Sequence, residues 1–330
     1  MRALITGGAG FIGSHLSELL LADGDEVFVL DDVSTGSLQN VAHLQSQPRF
    51  HLVVDSVLHP AVVSELVHKV DVVYHLAAAV GVKNIVEQPV RTLRVNLEGT
   101  ETVLDACCRF GRPVLVASTS EIYGDHRSDT PLRETSRRIY GATTQKRWAY
   151  ADSKAMDEFL ALAYRQEHGL DAVIARLFNT VGPRQTGRYG MVIPRFVEQA
   201  LTDSPLEIYG DGLQTRCFCH VSDTVRALRG LMADLGRTSG EIFNVGARNQ
   251  TSILALAKRI RSLVGSRSPL VHVPFDQVYG TGIEDMLHRV PCTDKVRDTI
   301  GWLPRHTFDE ILADVIADVT ARVLPDRVAA

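Results

Sequence analysis

Short apolar runs alternate with longer stretches of helical periodicity through the first half of the chain. Several of the apolar runs are uninterrupted, which is typical of parallel strands covered on both faces. The predicted strands span residues 2–6, 26–30, 50–54, 70–76, 113–118 and 171–177. Helical stretches such as 11–22 and 92–110 lie between them. This alternation predicts an α/β fold with a doubly wound parallel sheet.

The composition changes after about residue 179, where glycine, proline and arginine become frequent. Such residues suit loops over the edge of a sheet, and they predict a smaller second lobe. We expect the first lobe to comprise residues 1–178 with a returning segment at about 217–246. The second lobe would then comprise residues 179–216 and 247–330.

The overall composition is that of an ordinary globular protein. The formal net charge of −4 provides no basic surface for a nucleic acid, and no apolar run reaches membrane-spanning length. Five cysteines, an odd number, favour reduced thiols and a cytoplasmic location. Cys217 and Cys219 are not followed by a second pair at zinc spacing, so no metal site is predicted.

A glycine-rich turn follows the first predicted strand and opens the first predicted helix. Gly7, Gly10 and Gly13 form a G-x-x-G-x-x-G pattern, in which glycines allow a pyrophosphate to approach the backbone at the helix N-terminus. Asp31 follows the second strand, 18 residues after Gly13. A carboxylate at this position binds ribose hydroxyls and repels a 2′-phosphate. The pattern therefore predicts NAD rather than NADP, with Asp32 as a second ribose ligand.

A tyrosine and a lysine lie four residues apart on a predicted helix. Tyr150 and Lys154 therefore share one helix face, and we expect the ammonium to lower the pKa of the phenol and make it a usable base. Thr119, Ser120 and Glu121 directly follow the fifth predicted strand. Ligands of open α/β sheets bind beyond the carboxyl ends of the strands, so this carboxylate is a candidate for the same site.

These motifs resemble those of the extended short-chain dehydrogenase/reductase family, the nucleotide-sugar epimerases and dehydratases. The resemblance extends over essentially the whole chain, through the segments GGAGFIGSHL, HLAA, STSEIYGD, YADSK, RLFNTVGPR, YGDGLQTR and GW. It implies a Rossmann domain with retained NAD and a smaller lobe that holds a nucleoside-diphosphate sugar. It also implies a homodimer through helices at about 92–110 and 152–168.

The resemblance further implies a set of site residues. Tyr150 would take the proton of the sugar 4-hydroxyl, and Thr119 would bind that hydroxyl region. The expected cofactor ligands are Gly7, Gly10, Phe11, Ile12, Gly13, Asp31, Asp32, Ser34, Thr35, Gly36, Asp55, Leu76, Ala77, Ala78, Lys83, Asn96, Tyr150 and Lys154. The expected substrate ligands are Arg147, Asn179, Arg184, Tyr209, Arg216 and Arg289.

Three chemistries in this family share a 4-keto sugar, and residues 119–121 distinguish between them. The 4,6-dehydratases typically show Thr-Asp-Glu, whereas this chain has Ser120 in place of the acid. The Thr-Ser-Glu pattern resembles that of decarboxylases, which pair it with a distant arginine. Residues 279–302 resemble the C-terminal segment of UDP-glucuronate decarboxylases, in which Arg289 would orient the substrate carboxylate or protonate C5. Thr119, Ser120, Glu121, Tyr150, Lys154 and Arg289 are therefore the expected catalytic residues.

The loop at residues 80–89 favours a second interpretation. Decarboxylases tend to carry a tyrosine in this loop, and Ile85 stands at that position. The sequence around Lys83 is closer to that of epimerases. We therefore expect NAD-dependent decarboxylation of UDP-glucuronate to UDP-xylose or to a UDP-4-keto-pentose. Epimerisation of UDP-glucuronate or UDP-glucose at C4 is the alternative.

Overall fold

A computed structural model describes residues 1–81, 85, 87–126, 130–187, 190–279 and 286–324. Lys83 lies outside the described residues. The strands are β1 (Arg2–Thr6), β2 (Glu26–Asp31), β3 (Phe50–Val54), β4 (Val72–His75), β5 (Val114–Thr119), β6 (Ala172–Leu177), β7 (Thr180–Val181), β8 (Leu206–Tyr209), β9 (Thr215–Cys217), β10 (Cys219–His220), β11 (Ile242–Val245), β12 (Gln250–Ser252) and β13 (Leu270–Val273).

Helices connect and cover these strands. The α-helices are α1 (Phe11–Ala22), α2 (Pro60–Lys69), α3 (Pro89–Phe110), α4 (Arg147–His168), α5 (Val192–Leu201), α6 (Val221–Ala233), α7 (Leu235–Thr238), α8 (Ile253–Val264), α9 (Phe275–Tyr279), α10 (Asp294–Ile300) and α11 (Phe308–Val323). Two 3-10 helices span Leu38–Leu44 and Ser120–Tyr123. Among the described residues, no helix is both long enough and apolar enough to cross a membrane.

A seven-stranded parallel sheet forms the centre of the fold, in the order β11-β6-β5-β4-β1-β2-β3. The six predicted strands are all in this sheet, and the predicted doubly wound fold is confirmed. The seventh strand, β11, pairs parallel with β6 at one edge. Strand order reverses between β1 and β4, and this reversal opens a crevice at the carboxyl ends of the strands.

The bounds of two predicted helices are corrected by the structure. The helix expected at 92–110 begins three residues earlier, at Pro89, because proline is favoured in the first turn of a helix. The helix expected at 152–168 begins at Arg147, so Tyr150 lies in its first turn. Both helices end at a glycine in the left-handed conformation, Gly111 with φ 61° and Gly169 with φ 71°, as αL caps require.

Apolar side chains bury both faces of the sheet and form a third cluster beyond it. Helices α1 and α6 pack on one face through residues such as Leu16 and Leu228. Helices α2, α3 and α4 cover the other face through residues such as Val103 and Ala161. The third cluster joins α5, α8 and α11 around β8. The site lies between this third cluster and the carboxyl ends of the sheet strands.

Candidate active site

One cavity of about 900 Å³ extends along the carboxyl ends of the sheet strands. Its wall includes residues that follow or end β1, β2, β4, β5 and β6, as the crevice of an open α/β sheet should. The predicted site residues in this wall are Gly7, Gly10, Phe11, Ile12, Gly13, Asp31, Asp32, Ser34, Thr35, Gly36, Asp55, Leu76, Ala77, Ala78, Thr119, Ser120, Glu121, Arg147, Tyr150, Lys154, Asn179, Arg184, Tyr209, Arg216 and Arg289. The structure thus gathers side chains from both predicted lobes.

The glycine turn after β1 forms a concave backbone surface, which we call the glycine cradle. Side chains at its glycine positions would clash with the neighbouring backbone. A Cβ on Gly13 would lie 2.2 Å from the carbonyl oxygen of Gly7, and one on Gly7 would lie 2.8 Å from the backbone nitrogen of Ala77. Helix α1 begins after Gly10, and no described side chain caps it. Its first N–H groups therefore face the cavity, an arrangement that fits a pyrophosphate.

Asp31, the last residue of β2, and Asp32, which follows it, both line the same cavity. The oxygens of Asp31 accept hydrogen bonds from the backbone N–H groups of Ala9 at 2.9 Å and Val33 at 2.8 Å. Burial raises the pKa of Asp31, and these N–H groups favour its charged form. Asp32 accepts from the backbone of Ser34 at 3.0 Å. The pair suits the hydroxyls of a ribose and disfavours a phosphate at that position.

Asn96 is not among the residues that line the cavity, and its contact with the cofactor stays a prediction. It is fully buried in α3. Its Oδ1 accepts from the backbone of Ala79 at 2.9 Å, and its Nδ2 donates to the hydroxyl of Ser153 at 3.0 Å. These two bonds join α3 to α4 and to the segment after β4.

Groups other than Lys154 also act on Tyr150, and the expected lowering of its pKa by Lys154 stays a prediction. Burial raises the pKa of Tyr150, and the negative charges of Glu121 and Asp157 raise it further. The Nζ of Lys154 donates to Asp157 at 2.5 Å, and both side chains are almost fully buried. The Lys154 ammonium therefore forms a buried ion pair with Asp157. The Tyr150 hydroxyl does hydrogen-bond to Thr119, which lowers its pKa in part.

Glu121 lies between two buried arginines. Its Oε1 is 3.3 Å from Nη1 of Arg289 and 3.7 Å from Nη2 of Arg147. We call these three residues the carboxylate–arginine cluster. Arg289 also donates to the Oδ1 of Asn179 at 2.6 Å. The cluster carries one net positive charge in a site shielded from water, so a ligand carboxylate would balance it.

The cavity wall also contains aromatic and basic residues of the second lobe, which the sequence predicted only in part. Arg216 and Tyr209 were predicted there, and Arg195 was missed. The Arg195 guanidinium lies 4.0 Å from the centroid of the Tyr209 ring, a cation–π contact. Gln214 was also missed, and it donates to the backbone carbonyl of Tyr209 at 3.0 Å. The sequence of α5 is that of an ordinary amphipathic helix packed on the core, so it did not indicate that Arg195 lines the site.

Arg184 lines the cavity, but its guanidinium is directed at the first lobe. It donates to both oxygens of Glu18, at 2.9 and 2.6 Å, and to the carbonyl of Asn40 at 3.0 Å. Its backbone is left-handed, with φ 69°, which is uncommon outside glycine. Arg184 therefore joins the segment after β7 to α1 and to the 3-10 helix Leu38–Leu44.

The fold and the site together define the class of protein. A glycine cradle, a carboxylate pair at the end of β2 and a tyrosine–lysine pair in one crevice are the parts expected of a dinucleotide-dependent enzyme on a Rossmann-type sheet. The chain belongs to the family described as GDP-mannose 4,6 dehydratase, which it matches over residues 4–315. This confirms the predicted extended short-chain dehydrogenase/reductase family.

Several named relatives are similar along almost the entire chain. The UDP-N-acetyl-alpha-D-glucosaminuronate decarboxylase of Bacillus cytotoxicus is 40% identical over 316 residues, which cover 96% of each chain. UDP-glucuronic acid decarboxylase 1 of Arabidopsis thaliana is 34% identical, over 98% of this chain and 71% of the plant protein. The solved UDP-glucuronic acid 4-epimerase of Bacillus cereus, in complex with UDP-glucuronic acid and NAD, has a TM-score of 0.88. It is 27% identical and covers 98% of this chain and 100% of its own.

Proposed function

We propose that the protein is an NAD-dependent decarboxylase of UDP-glucuronate. The observation that carries this proposal is the carboxylate–arginine cluster beside the tyrosine that would act at C4. Arg289 and Arg147 supply two positive charges against the single charge of Glu121, which suits a substrate with a carboxylate at C6. The names of the decarboxylase relatives support the same chemistry.

The first lobe would hold NAD. The pyrophosphate would lie at the glycine cradle and the adenosine ribose at Asp31 and Asp32, where the cavity wall offers N–H donors and carboxylate acceptors, respectively. When bound, NAD accepts a hydride from C4 of the sugar and can return it. The 4-hydroxyl loses its proton in the same step, so a base is needed at that oxygen. Tyr150, hydrogen-bonded to Thr119, is that base.

The resulting 4-ketone makes the C6 carboxylate a β-keto acid. The C5–C6 bond then breaks, CO2 leaves, and the bonding electrons pass into the ketone as an enolate. A proton added at C5 completes the step. Arg289 would orient the leaving carboxylate, and Glu121 would disfavour its charged ground state by repulsion within a buried site. Ser120, buried beside Glu121, would line the same subsite.

The second lobe would hold the nucleotide. Arg216 and Asn179 would bind the diphosphate and uridine, because a guanidinium forms paired hydrogen bonds to phosphate oxygens. The division into residues 1–178 with 217–246, and 179–216 with 247–330, is part of the proposal. It is supported by the separate apolar cluster around β8.

Assembly and location complete the proposal. The exposed apolar residues Met156 and Phe159 on α4 and Val90 on α3 support a homodimer through these two helices. The thiols of all five cysteines are free, which supports a reducing, cytoplasmic setting.

Product analysis tests the proposed reaction. The purified protein is incubated with NAD and either UDP-glucuronate or its 2-acetamido counterpart, and products are followed by mass spectrometry and proton NMR. A product lighter by the mass of CO2 is expected, and the NMR spectrum distinguishes UDP-xylose from the 4-keto sugar. A product of unchanged mass with an inverted C4 proton would identify a 4-epimerase, the alternative favoured by the similarity to a solved epimerase.

A further inference from the structure

Glu121 and Arg289 of the carboxylate–arginine cluster lie on separate backbone segments, which Tyr123 and Asn244 connect through buried hydrogen bonds. Glu121 lies in the 3-10 helix Ser120–Tyr123, and the last residue of that helix is Tyr123. The Tyr123 hydroxyl donates to the Oδ1 of Asn244 at 2.6 Å. Both side chains are fully buried. A hydrogen bond in such surroundings is costly to leave unmade.

Asn244 holds the segment that carries Arg289. Its Nδ2 donates to the carbonyls of Leu132 at 2.8 Å and Cys292 at 3.2 Å. Leu132 in turn donates its N–H to the carbonyl of Val290 and accepts from the N–H of Cys292, each at 2.8 Å. These bonds fix the backbone immediately after Arg289. The Asn244 amide therefore helps to fix the backbone position from which the Arg289 side chain extends.

Arg176 determines which way the Tyr123 proton points. Its Nη1 donates to the Tyr123 oxygen at 2.9 Å, and a guanidinium cannot accept a hydrogen bond. The phenolic proton must therefore be directed at Asn244. Arg176 is itself held by a two-point ion pair with Glu158, at 2.9 and 2.7 Å. Ser118, next to Thr119 on β5, donates to the same carboxylate at 2.5 Å.

We propose that Tyr123 and Asn244 are positioning residues for the decarboxylation step, because their hydrogen bond sets the 3.3 Å separation of Glu121 and Arg289. This assignment rests on the proposed function. Loss of the bond would let the two segments shift relative to each other, and misplacement by about 1 Å can slow a step about 100-fold. The residues that act at C4, Thr119 and Tyr150, lie on β5 and α4. Arg176 connects these supports to the Tyr123 oxygen. When that hydroxyl is lost, Arg176 keeps its ion pair with Glu158 and its bond to the carbonyl of Glu134, so the bond from Ser118 to Glu158 remains.

A tyrosine-to-phenylalanine change isolates the effect. Tyr123→Phe removes one hydroxyl and keeps the buried ring. Tyr74→Phe is the matched control, because Tyr74 is fully buried in β4 and its hydroxyl has no hydrogen-bond partner among the described residues. Asn244→Asp is the second variant. It keeps the acceptor of the Tyr123 proton and removes the two N–H donors that connect Asn244 to Leu132 and Cys292, so it breaks the next link toward Arg289. Each protein is mixed with UDP-glucuronate in a single turnover, and both CO2 release and the absorbance of the reduced cofactor are recorded.

We expect CO2 release in Tyr123→Phe and Asn244→Asp to slow by about 10- to 100-fold relative to Tyr74→Phe. Reduced cofactor should form at the unchanged rate and accumulate, with the KM for UDP-glucuronate within about twofold of the control value. Equal rates of CO2 release in Tyr123→Phe and Tyr74→Phe would overturn the assignment. Equal slowing of both steps would also overturn it, because that is the result of a general structural defect. If the wild-type protein released no CO2, the proposed function itself would be wrong.

Discussion

Replacing Glu121 by glutamine removes the single negative charge that separates two buried arginines. At the distances to Arg289 and Arg147 of 3.3 and 3.7 Å, each attraction is about 5 kcal/mol before desolvation is counted, for an effective dielectric constant near 20. Most of this attraction is offset by the desolvation cost of burying the charges. Removing one partner of a buried pair nevertheless costs about 3–5 kcal/mol, and the Glu121 side chain is 18% exposed. We therefore expect Glu121→Gln to lower the free energy of unfolding by about 3 kcal/mol, the low end of that range.

The same change should strengthen the binding of a substrate that brings its own carboxylate. In Glu121→Gln the two guanidinium groups lack a counter-charge, so the UDP-glucuronate carboxylate would take its place. UDP-xylose has no carboxylate, and its affinity should stay within about twofold. Turnover should fall because the repulsion that favours CO2 loss is gone.

Chemical denaturation and calorimetric titration with both nucleotides measure these effects. Glu65→Gln is the control, because Glu65 forms an exposed ion pair with Lys69, and such pairs contribute little to stability. If Glu121→Gln unfolded like this control, the buried-pair reasoning would be refuted. If it turned over at a near-native rate, Glu121 would have no part in the chemistry.

Three further predictions concern other parts of the fold. Arg184 forms an ion pair with Glu18, so Arg184→Ala should weaken NAD binding about fivefold, or about 1 kcal/mol. The affinity for UDP, measured by titration, should not change. A larger loss of affinity for UDP than for NAD would mean that Arg184 contacts the substrate. Burial lowers the pKa of His75 to about 3, so the unfolded state binds more protons and the unfolding free energy rises with pH between about 3 and 6.5. His75→Gln should reduce this increase of the unfolding free energy with pH, measured by denaturation at several pH values. An unchanged increase would contradict the lowered pKa of His75. Phe159→Glu should give monomers in sedimentation velocity, whereas persistent dimers would refute the proposed interface.

The sheet and the cofactor cradle were predictable because their signals are local. The bounds of α1 at Phe11–Ala22 agree with the prediction, since the glycine turn marks its start. Thr119 and Glu121 could be placed at the crevice from the end of one apolar run. Each of these inferences needed only neighbouring residues and the rule that parallel strands end at a common edge.

Other features depended on distant partners that no local pattern reports. The pKa of Tyr150 was predicted from Lys154 alone, but Asp157, one turn further along the helix, binds the ammonium. The hydrogen bond from Asn96 to Ser153, which joins two helices, also had no local signal. The bond between Tyr123 and Asn244 spans 121 residues. Such contacts follow only from the packed structure.

Release of the C6 carbon is the most direct test of the central claim. UDP-glucuronate labelled with ¹³C at C6 is incubated with the NAD-loaded protein, and the gas phase and the nucleotide pool are sampled together. The proposed function predicts labelled CO2 in amounts equal to the unlabelled pentose nucleotide formed, and a large loss of both in Arg289→Ala. Label retained in a C4-inverted UDP-hexuronate, with no labelled CO2, would contradict it.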